Sequence, residues 1–211
     1  MPTSSTGLLL LGPTGAGKTP LGDYLERHGL WGRCCHHFDF GAQLRAVASG
    51  RSGVKLTGPE REVVLASLHS GTLLEEEHFP IARKILEHFL GERVDPPGAL
   101  VVLNGLPRHR GQASALEPFL RVVAVVELAC GVETVQERLR RDPAGDRDGR
   151  TDDTAEEVAA RLQIYRERTR PLLDWYRERG IPIIEVKVGA ETRPADLYPL
   201  LSARPALPSG A

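Results

Sequence analysis

Gly12-Pro13-Thr14-Gly15-Ala16-Gly17-Lys18-Thr19 is a complete G-x-x-x-x-G-K-[ST] segment. These residue types at this spacing suit one task, the cradling of phosphate oxygens. Glycine reaches backbone angles closed to other residues, so successive N–H groups can turn inward on an anion. Lys18 reaches the outer phosphates, and the Thr19 hydroxyl is placed to ligate Mg²⁺. An apolar run, 7–12, precedes the segment, and a helix that follows it adds the partial positive charge of its N-terminus. The segment predicts a site for a purine nucleoside triphosphate, with ATP the first choice.

Arginines form the second group of residues with chemistry to offer. Arg108 follows the apolar run that ends at Asn104, within Asn104-Gly105-Leu-Pro-Arg108-His-Arg-Gly-Gln112. Arg138 and Arg141 stand three apart and share a helix face. Arg150 closes the polar loop 142–150, and Arg161 begins Arg161-Leu-Gln-Ile-Tyr165. A planar guanidinium grips phosphate oxygens in pairs, which suits phosphoryl transfer, a reaction governed by alignment and charge neutralisation. The bland alternative for any one arginine is a solvated basic face paired with Asp and Glu.

These side chains need elements to hold them. Apolar or β-branched runs at 7–12, 34–40, 99–103, 122–128 and 181–188 predict strands. Leu21 and Leu25 predict a helix over 18–28 that stops at Gly29. Val132, Val135 and Leu139 keep a helical spacing. So do Val158, Leu162, Tyr165, Thr169, Leu172 and Tyr176, behind a capping box of Thr154 and Glu157. Pro171 should kink or restart that helix. Strands alternating with helices predict an α/β fold: a parallel sheet with helices on both faces and ligands at its carboxyl edge.

Taken in order, the motifs resemble the adenylate kinase and nucleoside monophosphate kinase family, from Leu8 to about Asp196. The carriers are the phosphate loop, Asn104-Gly-Leu-Pro-Arg108 with Gln112, Arg138-Leu-Arg-Arg141, Gly149-Arg150-Thr-Asp-Asp, Arg161-Leu-Gln-Ile-Tyr165, Thr169-Arg-Pro-Leu and Val186-Lys-Val-Gly189. The resemblance implies a P-loop NTPase fold with a five-stranded parallel sheet in one domain, 1–202. It implies an acceptor-binding helical insertion at about 40–95, a short lid at about 141–150 and a flexible tail, 203–211. Residues 12–19 would hold the donor ATP, with Arg138 and Gly189 at its adenine. Lys18, Arg141, Arg150 and Arg161 would be catalytic. Phe40, Arg45, Gly105, Arg108 and Gln112 would bind the acceptor monophosphate, AMP first, the glutamine suiting adenine. Mg²⁺ would lie between Thr19 and, through water, Asn104.

Two departures from the family pattern bear on that expectation. The family's aspartate is Asn104 here, which brings no charge to the Mg²⁺ shell, so metal affinity should fall and Asn104→Asp should restore it. Phe40 and Ala42 replace a hydroxyl residue and an aspartate near the acceptor base. Two rivals therefore stand beside the kinase: a P-loop kinase for a non-nucleotide acceptor, favoured by Phe40 and Ala42 and opposed by Arg108 with Gln112, and a nucleotide-binding protein of little turnover, favoured by Asn104.

The chain has 211 residues, 41% hydrophobic and 26% charged, with net charge −1. That balance fits a globular enzyme and gives no global attraction to nucleic acid or membrane. Three cysteines in no framework spacing, and no signal or membrane segment, point to a reduced cytoplasmic protein, and a monomer is expected. Cys34-Cys-His-His37 alternates across a strand and cannot converge on one ion. His109 and Arg110 read as a solvated loop, and Trp31 and Trp175 as packing anchors.

Removing the ammonium of Lys18 tests the phosphate assignment. Lys18→Ala should abolish turnover and weaken ATP binding by about 2–3 kcal/mol, read by equilibrium titration of the folded variant. Wild-type activity in that variant would remove the assignment.

Overall fold

A computed structural model describes residues 5–71, 74–92, 98–141 and 154–203. Five strands form one parallel sheet in the order β2-β3-β1-β4-β5. They are β1 (Ser5–Leu11), β2 (Cys35–Asp39), β3 (Leu100–Asn104), β4 (Leu120–Ala129) and β5 (Ile183–Lys187). The central strands read as unbroken apolar runs because both of their faces are covered. Every residue of β3 is buried, as are Gly7 to Leu11 of β1.

Helix α1 (Lys18–His28) returns from β1 to β2 and lies on one face with α9 (Pro194–Ser202), around Leu8, Leu10, Leu21, Leu25 and Leu201. Between β2 and β3 run α2 (Phe40–Ala48), α3 (Gly58–Ser70), a 3₁₀ turn (Glu76–His78) and α4 (Phe79–Glu92). They cover the opposite face with α5 (Arg110–Leu116) and α8 (Leu172–Glu178). Phe38 of β2 ties this insertion to the sheet: it meets Phe89 of α4 edge-on at 5.1 Å and stacks with Phe40 at 6.0 Å. Thr57 and Glu60 cap α3 reciprocally, which fixes the start of a helix in which only Val64 is buried.

Beyond β4, α6 (Val132–Arg141) packs Val135 with Val158 and Leu162 of α7 (Ala155–Ile164). The capping box at Thr154 and Glu157 is present. The six residues at alternating steps, Val158 through Tyr176, are all buried. The proline expectation resolves into a definite shape. Pro171 has no N–H, so the chain widens into a π turn (Tyr165–Thr169), Arg170 N donates to Tyr165 O at 2.7 Å, and α8 restarts after Pro171. Trp31 and Trp175 anchor packing, the former donating from Nε1 to Leu201 O at 3.0 Å. The lid, with Arg150, and all of the tail but its first residue lie outside the described residues.

Phe38→Ala leaves a cavity between sheet and insertion. It should cost about 3–5 kcal/mol, measured as a lower urea midpoint at unchanged m-value.

Candidate active site

Strands β1, β2 and β3 all end at one sheet edge, and the residues singled out in the sequence gather there. The phosphate loop leaves β1 through Gly15 (φ 77°) and Gly17 (φ 91°), left-handed conformations that favour glycine. Gly17 is the N-cap of α1, so the helix dipole and the first free N–H groups open onto the loop. Lys18 folds over its own loop and donates from Nζ to Gly12 O at 2.8 Å and Pro13 O at 2.7 Å. The loop is stapled from behind by Arg138, which is buried. Its Nε donates to Gly15 O at 2.9 Å, and its Nη1 to Gly189 O at 2.8 Å and Thr192 O at 2.9 Å. The phosphate loop and the loop at Gly189 are thereby one unit.

A cleft of about 250 Å³ runs from this loop across the edge of the sheet. Gly12, Thr14, Gly15, Gly17, Lys18 and Thr19 line one end; Phe40, Arg45, Gly105, Arg108 and Gln112 line the other, with Asn104 and Arg161 also on the wall. Five predicted residues lie elsewhere. Pro13 faces a neighbouring polar pocket, Ala16 is in the core, and Arg138 and Gly189 stand behind the loop. Arg141 points away from the cleft and pairs with Glu137 and Glu191, which raise its proton affinity further.

Arg108 carries the strongest electrostatic signature. Desolvation, reinforced by repulsion from the charge on Arg161, pushes its pKa down to about 10. Among the described residues no carboxylate pairs with Arg45 or Arg108. Asp39 is the one acidic side chain on the described wall. Positive charge thus exceeds negative charge inside the cleft, as an anion site requires.

Gln112 is almost fully buried and builds the turn that presents Arg108. Its Oε1 accepts from Arg108 N at 2.8 Å, and its Nε2 donates to Leu74 O at 2.7 Å. His109 is not in a solvated loop. It is buried, caps α5 by accepting from Gln112 N, and has Nε2 at 3.2 Å from Leu74 O. Local sequence hides this, because the partner carbonyl of Leu74 lies 35 residues away.

The sequence reading missed Asp39. It closes β2 as the register partner of Asn104 on β3. Thr19 Oγ1 donates to Asp39 Oδ2 at 2.7 Å, and Asn104 Nδ2 donates to the same oxygen at 2.9 Å and to Thr19 Oγ1 at 3.0 Å. The available signal was a carboxylate ending an apolar run just before a helix. Thr169, a spacing mark and a motif residue in the sequence, also belongs to the cleft: its buried hydroxyl lines the wall without a hydrogen-bond partner among the described residues.

Comparison with known proteins agrees with this geometry. Adenylate kinase from Synechococcus sp. (strain WH7803) is 36% identical over 183 residues, 83% of this chain and 87% of that protein. The chain belongs to the adenylate kinase family. Adenylate kinases from Parvibaculum lavamentivorans (33% over 182 residues, 82% and 80%) and Bartonella tribocorum (30% over 195 residues, 86% and 92%) agree. No family model matches the chain. Family membership accounts for the α/β architecture as the P-loop NTPase fold. Among the described residues no helix is long and apolar enough to cross a membrane.

A half-buried cation with no carboxylate partner among the described residues burdens the fold. The depressed pKa of Arg108 means that folding disfavours its charged form at every pH below about 10. Arg108→Met should therefore melt no lower than wild type without ligand, while tripolyphosphate should raise the wild-type melting temperature more than the variant's. A variant clearly less stable without ligand would contradict this account.

Proposed function

We propose that this chain transfers the γ-phosphoryl group of Mg·ATP to AMP. It is an ATP-dependent phosphotransferase acting on a nucleoside monophosphate, and neither rival from the sequence is favoured. One observation supports the acceptor side most directly. The phosphate loop shares its cleft with Arg45 and Arg108, two arginines without carboxylate partners among the described residues. A donor site alone does not need them; a second phosphate does.

In this reading, the loop amides and Lys18 bind the donor phosphates. Lys18 exchanges its two loop carbonyls for phosphate oxygens, a stronger charge-assisted contact. Arg45 and Arg108 hold the acceptor phosphate with forked donors, and Arg161, on the wall between, neutralises charge on the group in transit. The acceptor phosphate is already a nucleophile, so no general base is required. Gln112 keeps a second lone pair and a second amide hydrogen after its two structural bonds. Those can meet a purine edge, with Phe40 as an apolar wall. Arg138 and Gly189 frame the donor base; Arg141 and Arg150 approach with the lid segment, which excludes water when closed. The protein acts as a cytoplasmic monomer.

Mg²⁺ prefers oxygen ligands and keeps several waters while binding one or two carboxylates and substrate phosphates. The Thr19 hydroxyl and the Asp39 carboxylate, 2.7 Å apart beside the loop amides, fit that demand. Mg²⁺ held there would supply neutralisation of the phosphate charge and orientation of the donor. Thr19 would hold it at the loop, with Asp39 and Asn104 beside it.

The test is incubation with ATP and Mg²⁺ against a panel of nucleoside monophosphates, with products separated by chromatography. AMP should give ADP fastest. No diphosphate from any monophosphate would overturn the assignment; a faster rate with another base would move the acceptor away from AMP.

A further inference from the structure

We propose that Asp39 supplies the carboxylate of the metal shell in place of residue 104, and that Asn104 is the neutral amide that positions it. The inference rests on the Mg·ATP reading above and assigns the metal-side duty to a residue on another strand. Asp39 and Asn104 are Cα partners at the ends of adjacent parallel strands, so their side chains leave the sheet edge together. A carboxylate on β2 reaches the same point as one on β3.

The contacts specify which of the two carries the charge. Asn104 Nδ2 lies 2.9 Å from Asp39 Oδ2 and can only donate to it. A carboxylate at 104 would lose this hydrogen bond and set two anions face to face at that separation, a repulsion that the amide avoids. Asn104→Asp alone is therefore no repair of a missing charge, contrary to the expectation from sequence. The charge is present one strand over, and asparagine is the partner it needs.

Both oxygens of Asp39 are anchored. Oδ2 accepts from Thr19 Oγ1 at 2.7 Å and from Asn104. Oδ1 accepts from Ala42 N at 2.8 Å as the N-cap of α2. One carboxylate thus joins the metal-binding hydroxyl of the phosphate loop to the helix that carries Arg45. A metal held by Asp39 would also steady the acceptor side through the cap at Oδ1.

Asparagine caps helices as well as aspartate does, so Asp39→Asn keeps the cap at Oδ1 and replaces the charged acceptor facing Thr19 and Asn104 by a neutral amide donor. A melting curve checks that the variant folds. The readout is the ratio of the ATP dissociation constant without metal to that with Mg²⁺, measured by equilibrium competition against a fluorescent ATP analogue. Asp39→Asn should lower this ratio about tenfold, and the reciprocal exchange Asp39→Asn with Asn104→Asp should recover most of the loss. A wild-type preference for Mg·ATP that Asp39→Asn leaves unmoved, or that the double exchange fails to recover, overturns the proposal while the Mg·ATP reading stands. A wild-type ratio near one overturns both. A variant that keeps the ratio but loses turnover makes Asp39 an acceptor-side group and also overturns it.

Discussion

Arg108 is held beside Arg161 in a cleft whose described wall carries a single carboxylate, and the fold pushes its pKa down to about 10. A cation in that state does not hold itself in place, because the desolvated charge disfavours the folded conformation. Other bonds must fix it. The backbone N–H of Arg108 donates to Gln112 Oε1, Gln112 Nε2 donates to Leu74 O, and His109 caps the helix that carries Gln112. The polar residues flanking Arg108 are thus spent on posture, and the guanidinium remains available for an anion. The same division appears at the other end of the cleft, where Arg138 spends its donors on loop carbonyls so that the loop amides stay turned inward.

Much of this was legible in the sequence because it is local. The phosphate loop and α1 follow from glycine, lysine and capping chemistry within one turn of each other, and α1 has the bounds that Leu21, Leu25 and Gly29 predict. The helical face from Val158 to Tyr176 follows from periodicity, and every residue on it is buried. Strand boundaries move by one to two residues, since an apolar run does not say which residue makes the last ladder bond. What could not be read depends on register between strands and on contacts across the insertion. Asp39 gains meaning only when β2 lies beside β3, a pairing between positions 65 residues apart. His109 looks solvated until Leu74 closes over it. The pairing of Arg141 with Glu191, 50 residues further along the chain, shows only in the fold.

The placement of Arg161 shows how a distant local rule reaches the site. Arg161 precedes Tyr165 by four residues and so shares its helix face, and both line the cleft. Four residues after it the chain enters the π turn that precedes Pro171. A π turn holds one residue more than an α turn, so continuous α-helix here would rotate α7 about 100° relative to α8. Trp175 and Tyr176 lock α8 into the core, stacked edge-on at 4.7 Å. The rotation would therefore fall on α7 and carry Arg161 off the wall that faces Arg108. A missing backbone donor at Pro171 thus sets which face of a helix ten residues upstream presents its charge to the phosphate.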